Sequence, residues 1–500
     1  MSIGRTISIF IAAVAALPAV EALAQEPATA AAPVKDWGVI ARQDVEAAYE
    51  LYVENHPGMH DPGNPGFPEQ LKKARDAALA VAAMAHDREG YSRALARFTG
   101  ELGDGHAQVY APAPEGEAPR TRLWPGFVAA WRGEQMIVHR AAPDLPVPSG
   151  SAILSCGGAP VPELVSRRLM GALRAREAGQ WWSRAPQAFM AFEGYTDDAP
   201  RSCRFRTPAG DVRDLELTWV PAPSDHSKWM TSATDGERTA IGLSQPRQGI
   251  FLIGMPTFGP DPDEVKAYRS LFESLGEKRA ELKAARAVVI DLRHNNGGSS
   301  TWSREAARKL WGKEIVDHRL DDFLKEVRIW WRASEGNTAY MKEMEDNLRA
   351  DGNADVADAV HEIGAGMKAA LANGEKFYVE GEEKDSQPAA GPLSPTDFTV
   401  PVYVITPGRC ASACLDAIDA FKLFSNVKLI GAPTSADSTY MEVRRAALPS
   451  GEGMIVIPNK VWMHRPRGSG EFYTPDIEMT AADWSTAAFL DRIEADLSRR

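Results

Sequence analysis

In "GRCASACLDAID", residues 408 to 419, a serine stands between two cysteines, after the apolar run "VPVYVIT" and before a helical pattern. A strand, a turn containing Gly408 and a helix set the Ser412 hydroxyl at a helix N-terminus, where amide donors face negative charge developing on a reacting carbonyl. A serine there is either a nucleophile or simply the N-cap of its helix. Cys410 and Cys414 share one helix face. A disulfide between them is strained, so the expectation is two small buried residues packing the turn. A thiol redox centre needs CxxC or a thiolate at a helix N-terminus, and the spacing here is CxxxC.

Two further stretches carry chemistry. "VVIDLRHNNGGSSTW" reads as a buried strand ending in Asn-Asn-Gly-Gly before a helix. Gly297 and Gly298 let backbone approach a ligand closely and offer it N–H groups, and ligands of open α/β sheets sit at the carboxyl ends of strands. Taken alone, the motif is equally a plain glycine turn. "GDGHAQV" puts His106 in a turn; a neutral imidazole is the usual activator of a serine hydroxyl, with a carboxylate fixing its tautomer.

The elements that must position these residues fall into blocks. Helical periodicity runs from Asp44 to about Leu102, giving an N-terminal helical domain over 37–110. From 121 to 222 short β-branched runs punctuated by Gly and Pro mark a small β-rich domain. Its order of strand, "SGSAILSCGGAPV", helix, strand, "TPAG" and strand resembles a PDZ-like module, which binds extended peptide tails by strand addition. From about Arg238 strands and helices alternate as in an α/β sheet, with the core over 238–316 and 391–500. Residues 317–390 read as a tryptophan- and charge-rich helical insertion followed by a polar linker.

The chain has 500 residues, 44% hydrophobic and 25% charged, with a formal net charge of -12, which suits several globular domains. No basic run interleaved with aromatics occurs, so nucleic acid is not an expected partner. The N-terminus, with Arg5, an apolar run from Ile7 to about Val20, and Ala22 and Ala24, reads as a signal peptide over 1–24 cleaved after Ala24. Pro18 and the short apolar stretch argue against a membrane anchor, which needs about 20 apolar residues. Residues 25–36 read as an Ala/Pro-rich tether. Export to a periplasmic or extracellular setting permits disulfides. Cys156, Cys203, Cys410 and Cys414 allow three pairings, and Cys156 with Cys203, on two expected strands of the small domain, is preferred. No histidine stands at zinc-ligand spacing from either cysteine pair, and no metal or cofactor is implied.

Taken in order, "DGH", the PDZ-like stretch, "VVIDLRHNNGG", the "SA" turn, "LIGAPT" and "TPDIEM" resemble the tail-specific, or C-terminal processing, serine peptidases over most of residues 40 to 480. The resemblance implies a multidomain α+β fold with an α/β (crotonase-like ββα) peptidase core. It implies Ser412 as nucleophile, an oxyanion hole from the amides of Ala413 and of Gly297 or Gly298, and peptide or unfolded-protein substrates. The bacterial type pairs its serine with a lysine in the stretch after GxPT; the corresponding position here is Asp437, and Lys422, Lys428 and Lys460 fall off the motif. The tricorn-like branch uses a histidine after the N-terminal helical segment and an acid from the C-terminal part. His106 fits the first role. Glu442 and Asp437 rank ahead of Glu471 for the second, with Asp476 structural. His294 and His464 are rival bases, and His56 and His60 belong to a polar helix-end turn. The alternative from another class is a peptide- or hydrophobic-ligand-binding protein that kept this fold and lost the activity, motivated by the missing lysine.

Overall fold

Apolar residues three and four apart set the first described helices. Trp37–Asn55, Phe67–Ala82 and Arg88–Leu102 bring Ala41, Val45 and Tyr52 against Leu71, Ala74 and Ala78, and against Tyr91, Leu95 and Phe98, in one core. Asp36 and Asp87 cap two of them by accepting the amides of Val39 and Gly90. Gly103, at φ 69, ends the third in the left-handed conformation that glycine tolerates, and the chain turns into "DGH". The computed structural model describes residues 35–114, 116, 120–169, 178–196, 198–381 and 395–499. The expected signal peptide and residues 25–34 of the tether lie outside the described residues.

The chain divides into two units. The first comprises Met1–Pro112, Ile329–Glu380 and Tyr440–Met463. Besides the three helices it holds a sheet in the order Gln108–Tyr110, Met454–Met463, Arg328–Arg332, Phe377–Glu380, with Tyr440–Ala447 also paired to Met454–Met463. Here the structure departs from the expected helical insertion. Two helices, Glu335–Ala350 and Ala354–Ala372, are flanked by the strands Arg328–Arg332 and Phe377–Glu380, which pair antiparallel with Ile329 opposite Glu380. "RIWWR" is β-branched and aromatic, and takes the strand state because a partner strand is within reach. Residues 440–463, placed in the peptidase core from sequence, pair into the sheet of this first unit.

The second unit comprises Ala113–Arg328, Gly381–Thr439 and His464–Arg500. Its main sheet runs Gly242–Arg247, Ile250–Gly254, Ala287–Asp291, Val402–Thr406, Val427–Gly431, Ile477–Glu478. All neighbours but the first pair are parallel. The three central strands Ile250–Gly254, Ala287–Asp291 and Val402–Thr406 are buried throughout, as a sheet covered on both faces requires. Alternate residues serve opposite faces. Phe251, Ile253, Val288, Ile290 and Val404 meet helices Pro262–Glu277, Thr301–Trp311 and Ala413–Phe421. Leu252, Val289, Tyr403 and Ile405 meet Trp484, Phe489 and Ile493 around helix Thr486–Leu497.

The small β-rich domain is an antiparallel sheet in the order Phe127–Arg132, Gln135–Ala141, Ala152–Cys156, Ser202–Arg206, Val212–Glu216, with helices Val161–Arg168 and Ala178–Arg184. Cys156 lies directly opposite Cys203 and the two form a disulfide. No described helix is long and apolar enough to cross a membrane.

Candidate active site

Strand Val402–Thr406 leads through Pro407 to Ala411 into Ser412, and helix Ala413–Phe421 begins one residue later. Ser412 has φ 55 and ψ -130, a region a residue with a Cβ rarely enters. Holding it there costs roughly 1 to 3 kcal/mol, which folded proteins sustain mainly at functional positions. A sharp strand-to-helix elbow of this kind lifts a nucleophile's hydroxyl out of its turn. The Ser412 side chain makes no capping bond to the helix it precedes, so the N-cap role is not taken up.

The turn is braced on several sides. Contrary to the expectation of two packed thiols, Cys410 and Cys414 are bonded, with Cα atoms 5.3 Å apart, inside the range a disulfide accommodates. Both are fully buried. A Cβ on Gly408 would meet Trp182 Cβ at 2.5 Å and the Gly179 carbonyl at 2.8 Å, so helix Ala178–Arg184 is packed backbone to backbone on the turn. The Ser435 hydroxyl donates to the Gly408 carbonyl at 3.0 Å.

The Gly-Gly loop follows strand Ala287–Asp291. At its start a buried ion pair joins Arg293 to Asp291, with Nη2 2.6 Å from Oδ2. Asn295 then donates to the Met255 carbonyl and accepts the Gly297 amide, both at 2.9 Å. A Cβ on Gly297 would stand 2.8 Å from Ser412 Cβ and from the Ala411 carbonyl, which sets this loop directly against the elbow. Gly298 forms a parallel bridge with Phe258 through the Gly297 carbonyl and the Ser299 amide, leaving its own amide outside the ladder. Among the described residues neither the Gly298 nor the Ala413 amide has an acceptor, whereas that of Gly297 is engaged by Asn295.

Asp437 lies in the same unit, nearly fully buried, and its Oδ2 accepts the Ser412 amide at 2.7 Å. Arg467 Nη1 stands 3.7 Å from the same oxygen. Through Nε, Arg467 reaches Asp419, and through Nη2 it reaches Asp416 at 3.1 Å; both acids sit on helix Ala413–Phe421. Arg465 also pairs with Asp416, the Ser300 hydroxyl donates to Asp416 at 2.6 Å, and the Tyr473 hydroxyl donates to Asp419. Burial raises both carboxyls; for Asp416 the arginines overcome it and hold the group below its usual value, whereas Asp419 stays above its own.

His106 and Glu442 belong to the first unit. The His106 amide donates to Asp104 Oδ1 at 2.9 Å, and its half-buried ring carries a buried Nδ1 without a partner among the described residues. Glu442, at φ 57, stands opposite Asn459 with the register unbroken on either side, and its carboxylate pairs with the buried Lys460 at 2.9 Å. His56 is fully buried against Phe67 and engaged at both nitrogens, by Asp104 and by the Gly58 amide, while His60 is exposed. His294 Nε2 lies 3.2 Å from the Gly236 carbonyl, and His464 is exposed. Asp476 accepts the Leu429 amide at 2.7 Å, and Glu471 closes a local turn onto the Gly468 amide. Ser412, Gly297, Gly298, Ala413 and Asp437 are thus assembled within one unit. Sequence reasoning passed over Asn295, although it stands inside the Gly-Gly motif, and Arg467, for which no local pattern exists.

Residues 249–479 match the family model described as Peptidase family S41. Among solved structures, mature CPAF is 13% identical, with 91% of this chain and 96% of that chain covered at a TM-score of 0.59. Mature CPAF complexed with lactacystin is 14% identical, with 92% and 98% covered at 0.58. The photosystem II D1 C-terminal processing protease is 13% identical, with 88% and 92% covered at 0.32. No curated protein matches this chain in sequence. Residues 249–479, which carry the Ser412 elbow and the Gly-Gly loop, are thus similar to Peptidase family S41, and the chain is a serine-type peptidase, a hydrolase.

Proposed function

We propose that this peptidase is exported and cleaves peptide bonds within unfolded or tail-exposed proteins through an acyl-enzyme on Ser412. The carrying observation is the hydroxyl on a left-handed elbow beside two amides without acceptors among the described residues, those of Gly298 and Ala413. In this reading His106 takes the proton from Ser412 Oγ as the oxygen attacks the scissile carbonyl. The carbonyl oxygen becomes an oxyanion, and the two amides stabilise it without reorganisation. His106 then delivers the proton to the leaving amine, and water, deprotonated by the same imidazole, releases the acyl group.

Glu442 is proposed as the acid that orients His106. The sheet supports this: Gln108, two residues after His106, pairs with Val456, and Val443, next to Glu442, pairs with Pro458 on the same strand. The small antiparallel sheet is taken as a PDZ-like module that receives a substrate tail along a sheet edge. Export rests on the N-terminal pattern and on all four cysteines being bonded, as an oxidising compartment allows.

Mature protein incubated with a reduced, unfolded substrate protein is expected to cleave it, to leave the folded form of that substrate largely intact, and to lose cleavage in Ser412→Ala. Equal cleavage of folded and unfolded forms contradicts the substrate class. An inert wild type contradicts the activity and returns the chain to the binding alternative.

A further inference from the structure

We propose that Asp437 is a positioning residue for the nucleophile, holding the Ser412 amide, and with it the elbow, through a carboxylate that Arg467 anchors to the nucleophile's own helix. The proposal rests on the reading of Ser412 as nucleophile and goes beyond it, since it removes Asp437 from the candidates for the acid that orients the base.

The contacts close a ring. The Ser412 amide donates to Asp437 Oδ2 at 2.7 Å. Arg467 faces that oxygen at 3.7 Å and also binds Asp416 and Asp419. Those two acids stand on helix Ala413–Phe421, which starts at the residue after Ser412. The backbone of Ser412 is therefore tied to the flank of the helix it opens. A charge-assisted bond of this length is about twice as strong as a neutral one, which suits a residue whose φ of 55 is otherwise unfavourable. Arg467 has a second effect: an uncompensated carboxylate beside the elbow would repel the oxyanion forming on the Gly298 and Ala413 amides, and the guanidinium offsets that charge. A triad acid has a different geometry, with an oxygen on an imidazole nitrogen. Asp437 instead gives its inner oxygen to a backbone amide.

The test compares Asp437→Ala, Asp437→Asn and Arg467→Lys with wild type, measuring the rate of fluorophosphonate attachment to Ser412, kcat and KM on a peptide substrate, and the pH profile of kcat/KM. Asp437→Ala removes the acceptor, and the labelling rate and kcat are expected to fall roughly 10- to 100-fold, the range for a lost hydrogen bond to a charged group, with KM unchanged. Asp437→Asn keeps an oxygen acceptor and is expected to recover most of that loss. Arg467→Lys, which keeps a positive charge, is expected to slow labelling several-fold. In all three the acid limb of the pH profile stays where it is in wild type. An Asp437→Asn variant as impaired as Asp437→Ala, or one whose acid limb moves, overturns the proposal in favour of a triad role. So does Asp437→Ala labelling at the wild-type rate. If wild type itself is not labelled at Ser412, it is the underlying reading that fails.

Discussion

At the scale of single residues, the elbow depends on two glycines that no other residue replaces. A Cβ on Gly298 would lie 2.1 Å from the Phe258 backbone, at a φ of 130. Gly298→Ala therefore moves the loop and with it the amide proposed as an oxyanion donor, and kcat is expected to fall roughly 10²- to 10³-fold, the range for removing one such donor. A kcat within a few-fold of wild type would show that the Gly298 amide is not that donor. Glu442→Gln tests the proposed orienting acid: kcat falls and the acid limb of the pH profile shifts. An unmoved profile with a lower melting temperature would assign Glu442 to the Lys460 ion pair alone. These residues differ in how readily sequence revealed them. Around Ser412, Gly297 and Gly298 strand, turn and helix are contiguous, so the local pattern is readable in sequence there. The partners that decide between Asp437 and Glu442, Arg467 and Lys460, lie on later segments, and only the fold pairs them.

Among elements, the five residues from Cys410 to Cys414 form a covalently closed turn around Ser412, the proposed nucleophile. Opening that bond releases a restraint on the elbow. Cys410→Ala/Cys414→Ala, read in kcat, is expected to lower activity about 10-fold while leaving KM unchanged, and Cys156→Ala/Cys203→Ala, remote in sequence from the elbow, to affect stability instead. Equal kcat in the first variant and wild type would make the bond a packing feature. Helix Ala178–Arg184 presses on the approach to that turn: a Cβ on Gly179 would lie 2.4 Å from the Gly408 carbonyl oxygen. The core strands were legible as continuous apolar runs, and the N-terminal helices as amphipathic periods. "RIWWR" was not legible as a strand, because its partner Phe377–Glu380 stands beyond two intervening helices, and pairing rather than local preference fixes its state.

For the whole molecule, acid stability draws on His226, fully buried beside Trp124 with neither ring nitrogen bonded among the described residues. Burial first, and Arg122 second, push its pKa down to about 4. The unfolded chain binds that proton near pH 6.5 and the folded one does not, so the contribution to stability is complete above pH 6.5 and is lost as pH falls toward 4. The slope reaches at most about 1.4 kcal/mol per pH unit in that window. Urea midpoints measured from pH 7 to 4 should fall less steeply for His226→Phe than for wild type, and parallel curves would contradict this origin. At this scale composition and periodicity divide the chain into blocks, but carry no signal for strand pairing between distant segments. Residues 329–380 and 440–463 join the N-terminal helices through strand pairing across long stretches of sequence, which no local pattern encodes.

Whether Ser412 is a nucleophile made reactive by His106 is decided by fluorophosphonate labelling of the mature protein, mapped by peptide mass spectrometry. One adduct is expected, on Ser412, absent in Ser412→Ala and forming at least about 10²-fold more slowly in His106→Ala. Labelling that persists in Ser412→Ala, or proceeds at the wild-type rate without the imidazole, would contradict that assignment.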